Sequence, residues 1–156
     1  MRRFIVTGLA GALLAAFPLH AQDVDYDAFS ADLDEVLAAF DEGLELDESD
    51  RPAAVAAFER MASKAEAMME AYPGLDERDQ LELHYQAGNG WYYAGENLRE
   101  LARRAEDPAE GEAYYTRMVE VLENALRHHA PLHAREDQPY NPAEYYFAAG
   151  MLAEWG

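Results

Sequence analysis

The sequence predicts an all-α protein of about five helices that are arranged as antiparallel hairpins. Its apolar residues recur at steps of three and four, which is helix periodicity, and nowhere alternate over a sustained stretch as strands do. Pro and Gly lie almost entirely between these periodic segments, where they favour helix boundaries. Both a solenoid of stacked helix pairs and an irregular helical bundle fit this pattern.

The beginning of the chain has the order of a secretory signal peptide. Two arginines precede an uncharged apolar run from Phe4 to Phe17, and a cleavage site ending at Ala21 follows. The run is too short to span a bilayer as a stable helix, and no later apolar stretch reaches spanning length. We therefore predict a signal peptide over residues 1–21 and a single helical domain over residues 22–156, without a transmembrane span. The expected location is the periplasm of a Gram-negative envelope, or the medium after secretion.

Two helices are expected in the first half of the domain. The first runs from about Tyr26 to about Leu44, and Gly43 marks its predicted end. The second begins near Asp50, carries Pro52 in its first turn and stops near Tyr72. The two should form a hairpin. Their apolar stripes are Phe29, Leu33, Val36, Leu37 and Phe40 in the first helix, and Val55, Phe58, Met61, Ala65, Met68 and Met69 in the second.

Three further helices follow. The third is predicted from about Asp76 to Ala105, and Asp107 with Pro108 opens the fourth as a capping residue and a first helical residue. A similar opening at Asn141 begins the fifth helix, with which the chain ends. A long loop over residues 130–140 is expected between the fourth and fifth helices. The apolar seam of the third helix is Leu81, His84, Gly88, Trp91, Gly95, Leu98 and Ala102.

The third helix resembles the first helix of a tetratricopeptide repeat (TPR). A small residue and Gly at 87 and 88, an aromatic at Trp91 and a second Gly at Gly95 occur in the family's order. Glycine at such positions removes a side chain where a partner helix approaches closely. The resemblance covers roughly residues 50–156 and implies TPR-like helix pairs with a concave protein-binding surface. In the family a turn follows the second Gly, whereas here a good helix sequence continues.

The chain is strongly acidic. It has 31 Asp and Glu against 12 Lys and Arg, which gives a formal net charge of −19. Such a charge repels nucleic acid and favours a protein or peptide partner that carries basic residues. The chain has no Cys, so disulfides, thiolate metal sites and covalent haem attachment are excluded.

Residues that could carry covalent catalysis are scarce. After the predicted signal peptide the Ser and Thr residues are Ser30, Ser49, Ser63 and Thr116, and none lies in a nucleophile-elbow pattern. No Glu stands three residues before a His, as di-iron bundles require, and no glycine loop precedes a basic residue to hold phosphate. The sequence predicts a non-enzymatic protein without a cofactor.

The residues leave open a small-ligand-binding or metal-binding helical bundle. The metal candidates of this alternative are His128, His129 and His133, because imidazole nitrogens bind zinc, copper or nickel. Pro131 lies between them, so a specific loop would be needed for the three rings to converge. The competing interpretation is that His128 and His129 end a helix, where the carbonyl-rich terminus favours a cation.

Aromatic residues are concentrated in the second half of the chain. Adjacent aromatics on a helix point roughly 100° apart, so one member of each pair should reach a surface or groove. We predict an interaction or scaffold module whose groove holds a protein or peptide. The fifth helix either closes the chain's own core or pairs with another copy, as in a homo-oligomer. The predicted partner-binding residues are His84, Trp91, Tyr92, Tyr93, Tyr114, Tyr115, Tyr145 and Tyr146.

Overall fold

The computed structural model describes residues 24–135 and 143–155, and it confirms the all-α class. The described residues form no strand, and none of their helices is long and apolar enough to cross a membrane. The predicted signal peptide, residues 136–140 of the predicted loop and the predicted opening of the fifth helix at residues 141 and 142 lie outside the described residues. The five helices are α1 (Tyr26–Leu46), α2 (Arg51–Ala71), α3 (Glu77–Arg104), α4 (Pro108–His133) and α5 (Ala143–Trp155).

Aspartate caps explain where the first four helices begin. Asp25, Asp50, Asp76 and Asp107 each accept a hydrogen bond from a backbone N–H in the first turn of the helix that follows. These bonds satisfy amide groups that have no partner within the helix. The predicted starts of α2 and α4, which combine an Asp cap with a Pro in the first turn, are confirmed.

Two predicted helix ends were wrong. Helix α1 passes through Gly43 and continues to Leu46, because Gly43 is buried against the ring of Phe58 and its missing side chain serves packing. Helix α4 continues through Pro131 to His133, where a loop was expected to begin at residue 130. A proline near a helix end disturbs few hydrogen bonds, and burial of the neighbouring Leu132 holds this turn in place.

Side-chain pairs show that the helices form antiparallel hairpins. Between α1 and α2, Asp32 accepts from Tyr72 and Glu42 accepts from Arg60, so the residue numbers run in opposite directions. The α2–α3 pair shows the same order in the Trp91–Glu66 and Asn97–Arg51 hydrogen bonds, and the α3–α4 pair in the contacts of Gly88 and Gly95. Helices α1 to α4 therefore alternate in direction: the hairpins α1–α2 and α3–α4 meet through the antiparallel pair α2–α3, and α5 follows.

Two clusters of buried side chains form the core. One joins α1, α2 and the first half of α3, the other joins α2, α3, α4 and α5, and Phe40 packs against both. Leu37, predicted in the apolar stripe of α1, is 40% exposed. The largest fully buried apolar side chains are Val36, Val55, Phe58, Met61, Leu83, Leu98, Met118 and Leu122.

Glycines in α3 bring its neighbours into close contact on two sides. A Cβ added at Gly88 would lie 2.7 Å from the His129 ring, and one added at Gly95 would lie 2.5 Å from Leu122. Gly88 and Gly95 lie on one face of α3, which was predicted to receive a partner helix, and that partner is α4. Gly90 serves the opposite contact, because a Cβ there would lie 2.7 Å from the backbone oxygen of Phe58 in α2. Helix α3 is thus clamped between α2 and α4.

Candidate functional site

An open groove of about 170 Å³ lies between α3 and α5. Tyr92 and Met151 are buried, at 7% and 6% exposure, and give it an apolar base. The α3 residues recur at steps of four and three, and the α5 residues form adjacent pairs that recur after one helical turn, so each helix presents one continuous face to the groove. The lining residues are Tyr92, Glu96 and Arg99 on α3 and Tyr146, Phe147, Gly150, Met151 and Glu154 on α5.

Helix α5 leaves two large aromatic side chains in water beside this groove. Tyr146 is 58% exposed and Phe147 is 60% exposed, more than any other large apolar side chain among the described residues. Exposed aromatic pairs on a rigid helix are enriched at binding surfaces. The groove therefore combines a buried apolar base with an exposed aromatic edge.

The polar groups of the groove are carboxylates and one guanidinium. The Tyr92 hydroxyl donates to Glu96, and burial together with this hydrogen bond raises the pKa of Tyr92 well above its usual range. Across the groove Arg99 pairs with Glu154 at 3.0 Å, which ties α3 to α5. A ligand here meets two acidic side chains, an arginine that is already paired and a phenol that remains protonated.

Of the eight predicted partner-binding residues, Tyr92 and Tyr146 line the groove. Tyr93 is half-buried and stacks on Phe58, with the ring centroids 5.3 Å apart. Tyr145 stacks on His133 at 4.5 Å. The other four residues lie elsewhere: Tyr114 donates to Glu110, Tyr115 packs half-buried against the core, and His84 and Trp91 belong to a polar cluster between α2, α3 and α4.

That polar cluster is a chain of hydrogen bonds. Trp91 Nε1–H donates to Glu66 Oε1 at 2.9 Å, and His128 Nε2 contacts the same oxygen at 2.8 Å. The Nδ1 atom of His128 lies 3.1 Å from the Nδ1 atom of His84. His128 is buried, whereas the side chain of Glu66 is 36% exposed. Four side chains thereby connect three helices.

The geometry of the two imidazoles is that of a hydrogen bond. The ring centroids are 5.3 Å apart and the Nδ1 atoms are 3.1 Å apart. The difference between these two distances is close to twice the distance from the centre of an imidazole ring to a ring nitrogen, as expected when both Nδ1 atoms lie near the line that joins the ring centres. The two nitrogens therefore point at each other. A metal on the line between them would be closer to each nitrogen than the roughly 2.0–2.1 Å of a Zn–N bond.

The three histidines of the metal-binding alternative face different neighbours. His128 faces Glu66, the His129 ring lies against Gly88, and His133 stacks on an aromatic of α5. Within residues 24–135 and 143–155, no group of three or more His, Asp or Glu side chains is arranged to hold a metal ion. Burial, with His128 as a smaller cause, lowers the pKa of His129 to about 4, so its ring is neutral at pH 7.

Sequence reasoning did not single out several residues of these two sites. Phe147, Gly150 and Glu154 were not assigned to the groove, although their spacing on α5 is that of one helix face. Glu66 was not identified because it lies 62 residues from His128 and 25 from Trp91. No local pattern indicates such a contact.

Comparison with models of known protein families, with curated proteins and with solved structures gives no match for this chain.

Proposed function

We propose that this protein is an exported, non-enzymatic interaction module with TPR-like helix pairs, which holds a basic amphipathic helix of a protein partner in the α3–α5 groove. The observation that carries the proposal is the exposure of Tyr146 and Phe147 beside the buried apolar base of the groove. A helix laid in this groove would cover both rings and gain the free energy of their burial.

A partial sequence repeat supports a helical occupant. Four residues of α3 match four of α5 in type and spacing: Glu82, Tyr85, Ala87 and Gly88 match Glu144, Phe147, Ala149 and Gly150. Gly150 therefore corresponds to Gly88, and the space beside Gly88 is filled by the His129 ring of the following helix, α4. At Gly150 an added Cβ would meet no atom of the described residues within 4 Å. Gly88 receives the neighbouring helix α4, whereas the corresponding surface at Gly150 is open, so a partner helix can approach closely at Gly150.

Charge supports a basic occupant. Glu96 and Glu154 flank the groove, and the whole chain has a formal net charge of −19. Lysine or arginine side chains of a partner can pair with these carboxylates and pack on the exposed aromatic rings. The long-range field adds to this by accelerating the encounter at low ionic strength.

The positions of the hydroxyl groups support a non-enzymatic role. Ser30, Ser49, Ser63 and Thr116 are all exposed, and none lines the α3–α5 groove. Thr116 donates to the backbone oxygen of Glu112 on its own helix. None of these hydroxyls lies within hydrogen-bond distance of a described histidine that could act as its base.

Binding of a defined peptide tests the proposal. We expect a labelled amphipathic helical peptide with a Lys/Arg polar face to bind the full chain, and a Glu-faced peptide of the same apolar residues not to bind. The Tyr146→Ser, Phe147→Ser double variant should weaken binding roughly tenfold or more. The matched control is Leu37→Ser, Leu44→Ser, which removes exposed apolar side chains from α1, at 40% and 48% exposure. Equal loss of affinity in both double variants would overturn the groove assignment.

Site-specific crosslinking tests the occupant in cells. A photoreactive residue at position 147 should crosslink to a protein whose crosslinked peptide is basic and helical, and one at position 44 should not. Crosslinks from position 147 that lead only to a second copy of this chain would replace the proposed partner by a homo-oligomer.

A further inference from the structure

A second inference concerns the pair His84–His128, in which His128 is buried and His84 is half-buried, and it does not depend on the partner groove. The pair lies where α3 meets α4, next to the close contact of Gly88 with His129. It is continued towards α2 by Glu66, which also accepts from Trp91. A hydrogen bond between two like nitrogens depends on how many protons the pair carries.

The hydrogen-bond partners determine where the protons are. A carboxylate only accepts, so His128 Nε2 donates its proton to Glu66. When His128 is neutral its Nδ1 carries no proton, and the bond at 3.1 Å then requires a proton on Nδ1 of His84. One further proton gives the pair a single positive charge. Both Nε2 atoms and one of the two Nδ1 atoms then carry a proton, so a single proton still lies between the Nδ1 atoms.

A second further proton cannot be accommodated. Both Nδ1 atoms would then be donors facing each other at 3.1 Å, and two positive charges would stand side by side in a part-buried contact. The bond would be replaced by repulsion between α3 and α4. We propose that the His84–His128 pair is a pH-sensitive latch, which holds α3 to α4 while the pair carries at most one positive charge and opens on the second protonation.

Within residues 24–135 and 143–155, the following titratable groups lie around the pair. Helix α2 contributes Glu66, which contacts Nε2 of His128 at 2.8 Å, and α4 contributes His129, the next residue in the chain. On α3, Tyr85 packs on the His129 ring and Glu82 accepts from Gln86. At the far end of the same seam, Glu77 of α3 pairs with Arg135.

The surroundings oppose the second charge. Burial, followed by the nearby His128, holds the pKa of His84 below its usual range. The hydrogen bond of Glu66 is made with His128 and not with His84. Opening should therefore occur on the acidic side of the usual histidine pKa of about 6.5.

Opening the latch would reach beyond the pair. Trp91 shares the Glu66 oxygen with His128, so the environment of its indole should change when His128 moves. His133, one turn beyond His129 on α4, stacks on Tyr145 of α5. The last two turns of α4 therefore connect the His84–His128 pair to α5.

The test is the pH dependence of unfolding, compared between the wild type and His84→Asn. The amide nitrogen of Asn occupies nearly the position of Nδ1, so the variant can still donate to His128 but cannot be protonated. As the pH falls from 6.5 to 4.5, we expect the equilibrium constant for unfolding to rise more steeply in the wild type than in His84→Asn. The difference should be up to tenfold per pH unit, because the unfolded wild type takes up a proton on His84 that the variant cannot take up. The control is His133→Asn, which replaces a histidine of α4 outside the pair and should keep the wild-type slope.

Nitrogen chemical shifts of the imidazoles provide a readout independent of stability. At pH 8 we expect a proton on Nδ1 of His84 and on Nε2 of His128, and below pH 6 two separated titration steps for the pair. Should His84→Asn unfold too readily to be compared, this titration of the wild type decides alone. The latch is refuted by a wild-type pH slope in His84→Asn, or by two rings that titrate independently as tautomer mixtures.

Discussion

Alanine substitution of the helical glycines measures how closely the helices pack. In a helix interior, Gly→Ala stabilises by up to about 1 kcal/mol when the site has room, because alanine loses less backbone freedom on folding. At Gly90 there is no room: the new Cβ would lie 2.7 Å from the Phe58 backbone oxygen and 2.8 Å from the Ala62 backbone nitrogen. Backbone atoms cannot rotate away as a side-chain end can, so α2 and α3 must separate.

The expected magnitude follows from two opposing effects. Overpacking a core contact costs about 1–3 kcal/mol, and contact with backbone places Gly90→Ala at the upper end of that range. After subtraction of the propensity gain, the variant should lose about 2 kcal/mol of unfolding free energy. Gly150→Ala is the matched control, because its Cβ meets no described atom within 4 Å, and it should gain up to about 1 kcal/mol.

Urea unfolding followed by far-UV circular dichroism measures both variants against the wild type. The two glycines differ by about 3 kcal/mol in expected effect, which for a domain of this size corresponds to roughly 10 °C in Tm. The stability changes of Gly88→Ala and Gly95→Ala should lie between these two, because an added Cβ would meet side-chain atoms of His129 and Leu122, which can shift more easily than backbone. Equal stability of Gly90→Ala and Gly150→Ala would refute the close approach of α2 and α3.

Three further predictions concern other parts of the chain. Asn97→Ala should destabilise by about 1–3 kcal/mol in urea unfolding, since Asn97 is 1% exposed and its loss leaves the Arg51 guanidinium without its 2.9 Å acceptor; Asn124→Ala, on a half-buried site, should change little. His129 has a folded-state pKa of about 4, below the unfolded value of about 6.5, so its neutral ring contributes to the unfolding free energy fully above pH 6.5. This contribution should decline by about 3 kcal/mol as the pH falls to 4, and His129→Leu should flatten the unfolding free energy over this pH range. Mass spectrometry of the envelope fraction should find a mature chain that begins after Ala21, whereas an uncut chain in the cytosol would contradict export.

Helix starts could be predicted from the sequence because they are local. An aspartate cap with a proline in the first turn acts within four residues, so Asp50 and Asp107 marked α2 and α4 correctly. The helix ends expected near Gly43 and Pro131 could not be predicted correctly, because glycine and proline can either end a helix or lie within one. Glycine ends a helix when water surrounds it and continues one when a neighbour such as Phe58 fills its side. Tertiary packing decides between the two.

The candidate sites show the same division between local and long-range information. Tyr146 was predicted at a surface because neighbouring positions on a helix cannot all point inward, and this argument needs only the helix. Helix geometry alone does not determine which member of each adjacent aromatic pair is covered. Tyr93, for example, is half-buried because Phe58 of another helix stacks on it. The cluster of Glu66 with the histidines required the register of three helices, which no single segment specifies.

The antiparallel hairpins have a consequence for how quickly the native state forms. Among the described helices, the extensive contacts join elements that follow one another in the chain, and α3 with α5 is the main exception. Proteins whose contacts are local in sequence fold in microseconds to milliseconds. Either hairpin can therefore nucleate without waiting for the other, and α5, which packs mainly on α4, should be the first helix to detach.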